Sequence, residues 1–274
     1  MLTKVSHRAA VLGSPIAHSL SPVLHNAGYA AAGLEGWQYT AIECDRAALP
    51  KLISGLGDEW AGLSLTMPLK EAALAVAAEV APVAAAIGAA NTLVRTRDGW
   101  LAENTDAPGM VAALREAGVE RVGSVAILGA GGTARSAVAA ARDIGAEDIH
   151  VYARRVAAFD ELAETADRLG TAITYGAWAD ADGCADADLV ISTVPKGAAD
   201  SLRPPWRRVT AVFDAVYDPW PTPLAAGAAA AGCPIVSGLD LLLHQAARQF
   251  DLFTGAEAPI DAMREALRSA VAAR

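Results

Sequence analysis

The sequence predicts an α/β protein of two domains, with a doubly wound parallel-sheet domain inserted into a second α/β domain. Three observations predict this. Short apolar runs alternate with helical segments from about 124 to 237, the spacing of βαβ units and a parallel sheet. A glycine-rich turn, Gly129-Ala130-Gly131-Gly132-Thr133-Ala134, joins one such strand directly to a helix. Polar motifs with no such alternation fill the N-terminal third, and a helical tail from about Leu239 closes the chain.

Along the N-terminal part, Ala9 to Gly13 reads as a short buried strand. Ser21-Pro22 then opens a helix that stops before Gly33, with Ser21 as candidate N-cap and Pro22 at the first helical position. Tyr39–Glu43 and Ala61–Leu65 read as strands. A helix follows Thr66 and Pro68, and Thr92–Arg95 is a strand before a turn at Gly99. In the middle, 124–128 (SVAIL), 149–153 (IHVYA), 189–193 (LVIST), 211–216 (AVFDAV) and 234–237 (PIVS) are strands. Helices run from the glycine turn to Ile144 and from the second strand to about Leu169. The expected boundaries are 1–106 plus 239–274 for the outer domain and 107–238 for the inserted one.

Composition narrows the class. The chain has 274 residues, 53% of them hydrophobic and 5% aromatic, with a formal net charge of −9. That is a globular balance, and an acidic chain without a basic block is a poor partner for nucleic acid or an anionic membrane surface. Cys44, Cys184 and Cys233 are far apart and form no CxxC, which argues against a disulfide framework or a cysteine zinc site and suits a reducing cytoplasm. The segment 1–13 lacks the apolar core of a signal peptide. The Ala72–Val94 tract is broken by Glu79 and Pro82, so it is not read as a membrane span. His7, His18, His25, His150 and His244 form no ligand pattern; packing or surface roles are preferred, and no metal is expected.

The glycine turn has the form of a dinucleotide fingerprint. Gly129 permits the tight turn, Gly131 lets the backbone approach a pyrophosphate, and Ala134 allows close packing of helix on sheet. The helix N-terminus faces the negative charge. The strand–turn–helix context separates it from an ordinary glycine turn. An acidic residue at the end of the next strand would bond a ribose 2′-hydroxyl; Ala153-Arg154-Arg155 stands there instead, and two arginines suit a 2′-phosphate. NADP is thus favoured over NAD. The plainer alternative, two arginines solvating a strand end, stays open.

The N-terminal motifs carry the remaining chemistry. In an extended segment Ser19 and Ser21 point the same way beside a helix N-terminus, which suits a carboxylate; equally, Ser21 is an ordinary cap and Ser19 incidental. Lys70, in 64–70 (SLTMPLK), falls in the first turn of the expected helix. The positive helix end and partial burial would both favour its neutral form. Asn91-Thr92 and Asn104-Thr105-Asp106 read as polar turns, and Asp106 falls just before the inserted domain, where a crevice is expected.

Taken in order, GSPIAHSLSPVLHN, GLSLTMPLK, GAANTL, ENTDAPG, GAGGTAR, Arg154-Arg155, STVPKG, DAVYDPWPTPL and GLDLLLHQAARQFDLFTG resemble the shikimate dehydrogenase family over residues 13 to 255. The resemblance implies NADPH-dependent reduction of 3-dehydroshikimate to shikimate, in aromatic amino-acid biosynthesis. It implies a Rossmann-type NADP-binding domain inserted in an α/β substrate-binding domain. Ser19, Ser21, Thr66, Asn91, Asp106, Tyr217 and Gln245 would hold the substrate. Lys70 and Asp106 would form the catalytic pair. Gly129, Ala130, Gly131, Gly132, Thr133, Arg154, Arg155 and Gly238 would hold NADP. A monomer or homodimer in the cytoplasm is expected. The chain departs from the pattern at Ala153-Arg154-Arg155, where the family often has Asn-Arg-Thr, at Ala107-Pro108-Gly109, and at Leu241 in place of methionine. Three rivals share features of the sequence. One is a quinate/shikimate dehydrogenase with broader substrate or NAD use, one a methylene-tetrahydrofolate dehydrogenase, and one an NADP sensor without turnover. Ser19 with Ser21, and Lys70 with Asp106, argue against them.

Overall fold

The structure, a computed structural model, describes residues 5–274. The chain divides into two compact units, Met1–Thr105 with Leu242–Arg274, and Asp106–Leu241.

The first unit begins with β1 (His7–Gly13), α1 (Ser21–Ala31), β2 (Trp37–Glu43), α2 (Leu49–Ser54) and β3 (Trp60–Leu65). It continues with α3 (Ala73–Val76), β4 (Glu79–Val80), α4 (Pro82–Ile87), β5 (Thr92–Thr96) and β6 (Gly99–Glu103). Its six-stranded sheet has the order β2-β1-β3-β5-β6-β4. β1 pairs parallel with β2 and β3, whereas β5 runs antiparallel to both β3 and β6. One face of the sheet packs on a core containing Leu12, Leu49, Leu63, Leu65, Leu69, Leu93 and Trp100. Another core, with Val11, Tyr29, Tyr39, Phe250 and Phe253, lies under α1.

The second unit begins with α5 (Asp106–Glu116), β7 (Ser124–Leu128), α6 (Gly132–Asp143), β8 (Asp148–Ala153) and α7 (Val156–Leu169). Then come β9 (Thr174–Ala177), a 3-10 stretch Trp178–Asp186, β10 (Leu189–Ser192), β11 (Ala211–Asp214), α8 (Pro223–Ala230) and β12 (Ile235–Ser237). α9 (Gly238–Thr254) begins here and continues into the first unit, which α10 (Ile260–Ala272) completes. All six strands pair in parallel, in the order β12-β11-β10-β7-β8-β9. This is the doubly wound arrangement, and the strand order reverses between β7 and β10, where such sheets bind ligands. The central strands β7, β10 and β11 are almost wholly buried and mainly apolar because helices cover both faces. α6 lies close on the sheet because its inward residues, among them Ala134, Ala137 and Ala141, are small and fully buried.

Two local expectations fail. Ser21 is not the cap of α1; Leu20 holds that position, already in helical conformation, and no side chain caps the helix. Ser21 is the first helical residue and turns into the core, while its N–H is met by the Ser19 hydroxyl at 3.3 Å. The segment before it is a turn, with Ser19 N–H bonded to the Ile16 carbonyl, so Ser19 and Ser21 do not share an extended strand. Lys70 is not in a helical first turn either. Its carbonyl accepts from Ala90 N–H at 2.8 Å, so residues 67–72 remain a series of turns. Only the four residues Ala73–Val76 become helical, and the helix-dipole argument for Lys70 lapses.

Candidate active site

In the first unit, backbone hydrogen bonds gather the polar motifs at the ends of β1, β3 and β5. Thr66 N–H donates to the Leu12 carbonyl at 2.9 Å and Ser14 N–H to the Met67 carbonyl at 3.1 Å, joining the serine turn to the Thr66–Lys70 turn. Leu65 N–H donates to the Asn91 carbonyl at 2.7 Å, and Ala90 N–H binds the Lys70 carbonyl, which joins that turn to Asn91. Asn104 Nδ2 donates to the Ala89 carbonyl at 3.1 Å, and Thr105 N–H donates to Asn91 Oδ1 at 2.7 Å. Thr105 is therefore fixed, and Asp106 follows it by one peptide bond. From α9, Gln245 Oε1 accepts from Asn91 Nδ2 at 3.4 Å.

The side chains gathered this way have graded burial. Asn91, Asn104, Ser21 and Gln245 are buried, whereas Ser19, Thr66 and Lys70 are half-buried. An exposed carboxylate shapes the serine turn: Glu43 accepts from Ser14 Oγ at 2.6 Å and from Ile16 N–H at 3.1 Å. Beneath Ser21 lies the Tyr39 hydroxyl, whose proton burial holds well above the ordinary phenol range, with bonds to Ser64 and Ser21 opposing. Its ring stacks on His25 at 4.1 Å between centroids, with 3° between planes. Neither His25 ring nitrogen has a partner in hydrogen-bond geometry. Burial lowers the His25 pKa to about 3, offset only in part by the Gln249 side chain.

The second unit presents a different set of groups. Gly129 has φ +101, a conformation that strains any other L-residue. A Cβ there would also stand 2.9 Å from Thr193 Oγ1, which is itself bonded to the Leu128 carbonyl at 2.9 Å. Gly131 is the N-cap of α6, no side chain caps the helix, and both Gly131 and Gly132 have open space where a Cβ would be. Gly131 and Gly132 are exposed, and Ala130 and Thr133 are half-buried beside them. Helix N–H groups with the positive helix end behind them suit a diphosphate. Arg154 and Arg155 leave the end of β8, the neighbour of β7, and both are exposed. Among the described residues neither guanidinium forms an ion pair or hydrogen bond, so both are open to an external anion. These features fit a dinucleotide carrying an additional phosphate.

Tyr217 is half-buried on the loop after β11. Asp214 holds that loop: it accepts from Val216 N–H at 3.2 Å and from Thr222 Oγ1 at 2.7 Å. Burial raises the Asp214 pKa, opposed by the Thr222 and Val216 bonds. Gly238 opens α9 against this loop. Its Cβ position would overlap the Ala215 carbonyl and approach the Tyr217 ring at 3.1 Å, so only glycine fits.

The residues singled out in the sequence thus fall into two groups. Ser19, Ser21, Thr66, Lys70, Asn91 and Gln245 belong to the first unit; Asp106, Tyr217, Gly238, the glycine turn and both arginines belong to the second. Sequence reasoning passed over Tyr39, Glu43, Asp214 and Gln249. Gln249 carried a usable signal, because it stands four residues after Gln245 and hence on the same face of α9. Among the described residues no helix is long and apolar enough to cross a membrane, and no group of three or more His, Cys, Asp or Glu side chains is placed to hold a metal ion.

Comparison with known proteins adds a family. Residues 11–93 match the model of the shikimate dehydrogenase substrate binding domain, and residues 238–268 that of the shikimate 5′-dehydrogenase C-terminal domain. The shikimate dehydrogenase (NADP(+)) of Moorella thermoacetica is 38% identical, over 96% of this chain and 93% of its own length. The crystal structure of Mycobacterium tuberculosis shikimate dehydrogenase matches with TM-score 0.86 and 44% identity, covering 96% of this chain and 99% of the other. That of shikimate 5-dehydrogenase from Thermus thermophilus in complex with NADP(H) and shikimate gives 0.85 and 34%, with 96% and 99% covered. With such identity along nearly its whole length, the chain belongs to the shikimate dehydrogenase family.

Proposed function

We propose that this chain is an NADP-dependent shikimate dehydrogenase, which reduces 3-dehydroshikimate reversibly to shikimate for aromatic amino-acid biosynthesis. The observation that supports it is the set of hydrogen bonds in the first unit that tie together the segments carrying Ser19, Ser21, Thr66, Lys70, Asn91 and Gln245. A small, polyhydroxylated acid needs such a set of hydroxyls, amides and one cation in fixed places. Ser19 and Ser21, beside the N-terminus of α1, bind the substrate carboxylate. Ser19 Oγ already accepts from Ser21 N–H, so its own proton is the one it offers. Thr66, Asn91, Asp106, Tyr217 and Gln245 bond the ring hydroxyls and set the ring orientation.

Bound NADPH supplies a hydride, and the protein's part is positioning and proton transfer. Lys70 donates a proton to the ketone oxygen as that oxygen becomes a hydroxyl, and takes it back in the reverse direction. Asp106 accepts a hydrogen bond from the same hydroxyl and holds it toward Lys70. The N–H groups of Gly131 to Thr133 would hold the diphosphate, with Gly129 and Ala130 shaping the turn. Arg154 and Arg155 pair with the 2′-phosphate, and Gly238 keeps the Tyr217 loop in place beside the cofactor. The protein works in the cytoplasm, as a monomer or homodimer, without nucleic-acid or membrane partners.

The test is an assay of shikimate and quinate oxidation, each with NADP and with NAD. Turnover confined to shikimate with NADP supports the reading. Comparable quinate turnover or NAD preference replaces it with a broader quinate/shikimate dehydrogenase, and NADP binding without turnover replaces it with a sensor.

A further inference from the structure

Gln249 lies fully buried on α9 and has no part in the chemistry above. Both ends of its amide are engaged. Nε2 donates to Thr92 Oγ1 at 2.9 Å and to the Asn91 carbonyl at 3.2 Å. Oε1 accepts from Ser64 Oγ at 2.7 Å, and Ser64 Oγ in turn accepts from the Tyr39 hydroxyl at 2.6 Å. Thr92, itself fully buried, passes its proton on to Asn91 Oδ1 at 2.9 Å.

These bonds have a direction. A hydroxyl has one proton to give. Ser64 receives the Tyr39 proton and gives its own to Gln249 Oε1, which sets Gln249 with Nε2 toward Thr92. The Gln249 N–H occupies a lone pair of Thr92 Oγ1, so the Thr92 proton goes to Asn91. Asn91 Oδ1 then receives both that proton and the Thr105 N–H. Its oxygen end is committed inward, and the Nδ2 end is the donor, bonded to Thr105 Oγ1 at 2.9 Å and turned toward Gln245 Oε1 at 3.4 Å. Reversing the Asn91 amide would set Nδ2 against two donors.

We propose that Gln249 is a positioning residue that acts through Thr92 to fix the Asn91 carboxamide with its donor end toward the substrate. The proposal rests on Asn91 being a substrate ligand, as argued above. The opposite amide orientation would offer a substrate hydroxyl an acceptor where the site is built to donate. The chain of bonds also reaches Tyr39 beneath Ser21, so one buried relay supports two of the groups proposed to hold the substrate.

The test uses Thr92→Val, which keeps the side-chain shape and removes the hydroxyl, with Thr92→Ser as the conservative rescue. Gln249→Glu, which removes the Nε2 donor, is the second variant. Shikimate KM, NADP KM, kcat and melting temperature are measured for each, and Thr92→Val is repeated in an Asn91→Ala background. Thr92→Val is expected to raise shikimate KM roughly tenfold, the worth of one good hydrogen bond. NADP KM should hold, and Thr92→Ser should restore shikimate KM. In the Asn91→Ala background the hydroxyl should no longer matter. A lowered melting temperature with unchanged shikimate KM, or the same KM rise without Asn91, overturns the proposal. Failure of the parent reading looks different: the unaltered protein would then neither turn over shikimate nor bind it in calorimetry, and the proposal would fall with it.

Discussion

Asn91, Thr92, Thr105 and Gln249 in the first unit are nearly sealed from solvent and bonded to one another through their side chains. At the glycine turn and the β8 end of the second unit the groups on offer are open to solvent in whole or part, and they are main-chain N–H groups and long cations. The first arrangement fixes orientation, because each amide and hydroxyl has its donor or acceptor role dictated by a neighbour. The second fixes position through the backbone and leaves the charged ends exposed to an arriving anion. A small substrate that must be oriented for proton transfer suits the former; a long, highly charged cofactor suits the latter.

The largest effect that would test this division is at Lys70. Lys70→Ala should lower kcat by at least about a hundredfold, since it removes the proton donor, and leave the Kd for NADP unchanged. Activity kept within tenfold would deny Lys70 its role. Next comes the pair Arg154→Ala/Arg155→Ala. Losing charge-assisted bonds to a phosphate should raise the KM for NADP by about 10- to 100-fold, with the KM for NAD nearly constant. Equal changes for both cofactors would reduce the arginines to solvation of the strand end. Smaller still is Gly129→Ala. Its left-handed backbone should cost about 1–2 kcal/mol, read as a lower denaturation midpoint and weaker NADP binding. Weaker shikimate binding at equal stability would argue that the two sets of groups are not separately built.

The two regions were also unequally legible. Most of the βαβ half could be read because its central strands are short apolar runs, and 124–128 matches β7 residue for residue, whereas the edge strand β9, Thr174–Ala177, is too polar and exposed to show. In the first unit the motif residues were visible as types in a pattern, yet their local structure was not. Nothing near Lys70 shows that Ala90 will take its carbonyl, and that single long-range bond decides where α3 starts. The inward turn of Ser21 likewise sets its side chain against Tyr39, far along the chain on β2, a pairing that no local pattern announces. β6 was missed because it holds only three apolar residues, Trp100 to Ala102, consecutive in sequence although their burial alternates, beside a polar motif. Gln249 was passed over until the fold brought it into bonding distance of Thr92 and the Asn91 carbonyl. Side-chain networks across elements leave little periodic trace, and periodicity was the main local signal.

The buried relay of the first unit carries one further consequence, in acid. His25 is fully buried against Tyr39 with its pKa lowered to about 3 from 6.5. The folded protein therefore keeps it neutral at pH values where the unfolded chain binds a proton. Between pH 6.5 and about 3 the unfolded state holds more protons, so stability falls as pH falls through that window. Above pH 6.5 both states are neutral and the residue adds no slope. The full slope for one such group is about 1.4 kcal/mol per pH unit, so the loss about one pH unit below the unfolded value is near that size. In the second unit His150 is only half-buried. Amide exchange at about pH 5 should accordingly speed up first around α1 and β2, and later in β7 and β8. His25→Phe keeps an aromatic ring on Tyr39 and removes the basic nitrogens. Its urea midpoint should depend less on pH between about 4.5 and 6.5 than that of the unaltered protein. Parallel curves for the two would show that the acid sensitivity arises elsewhere, and the first unit would lose its claim to be the acid-labile half.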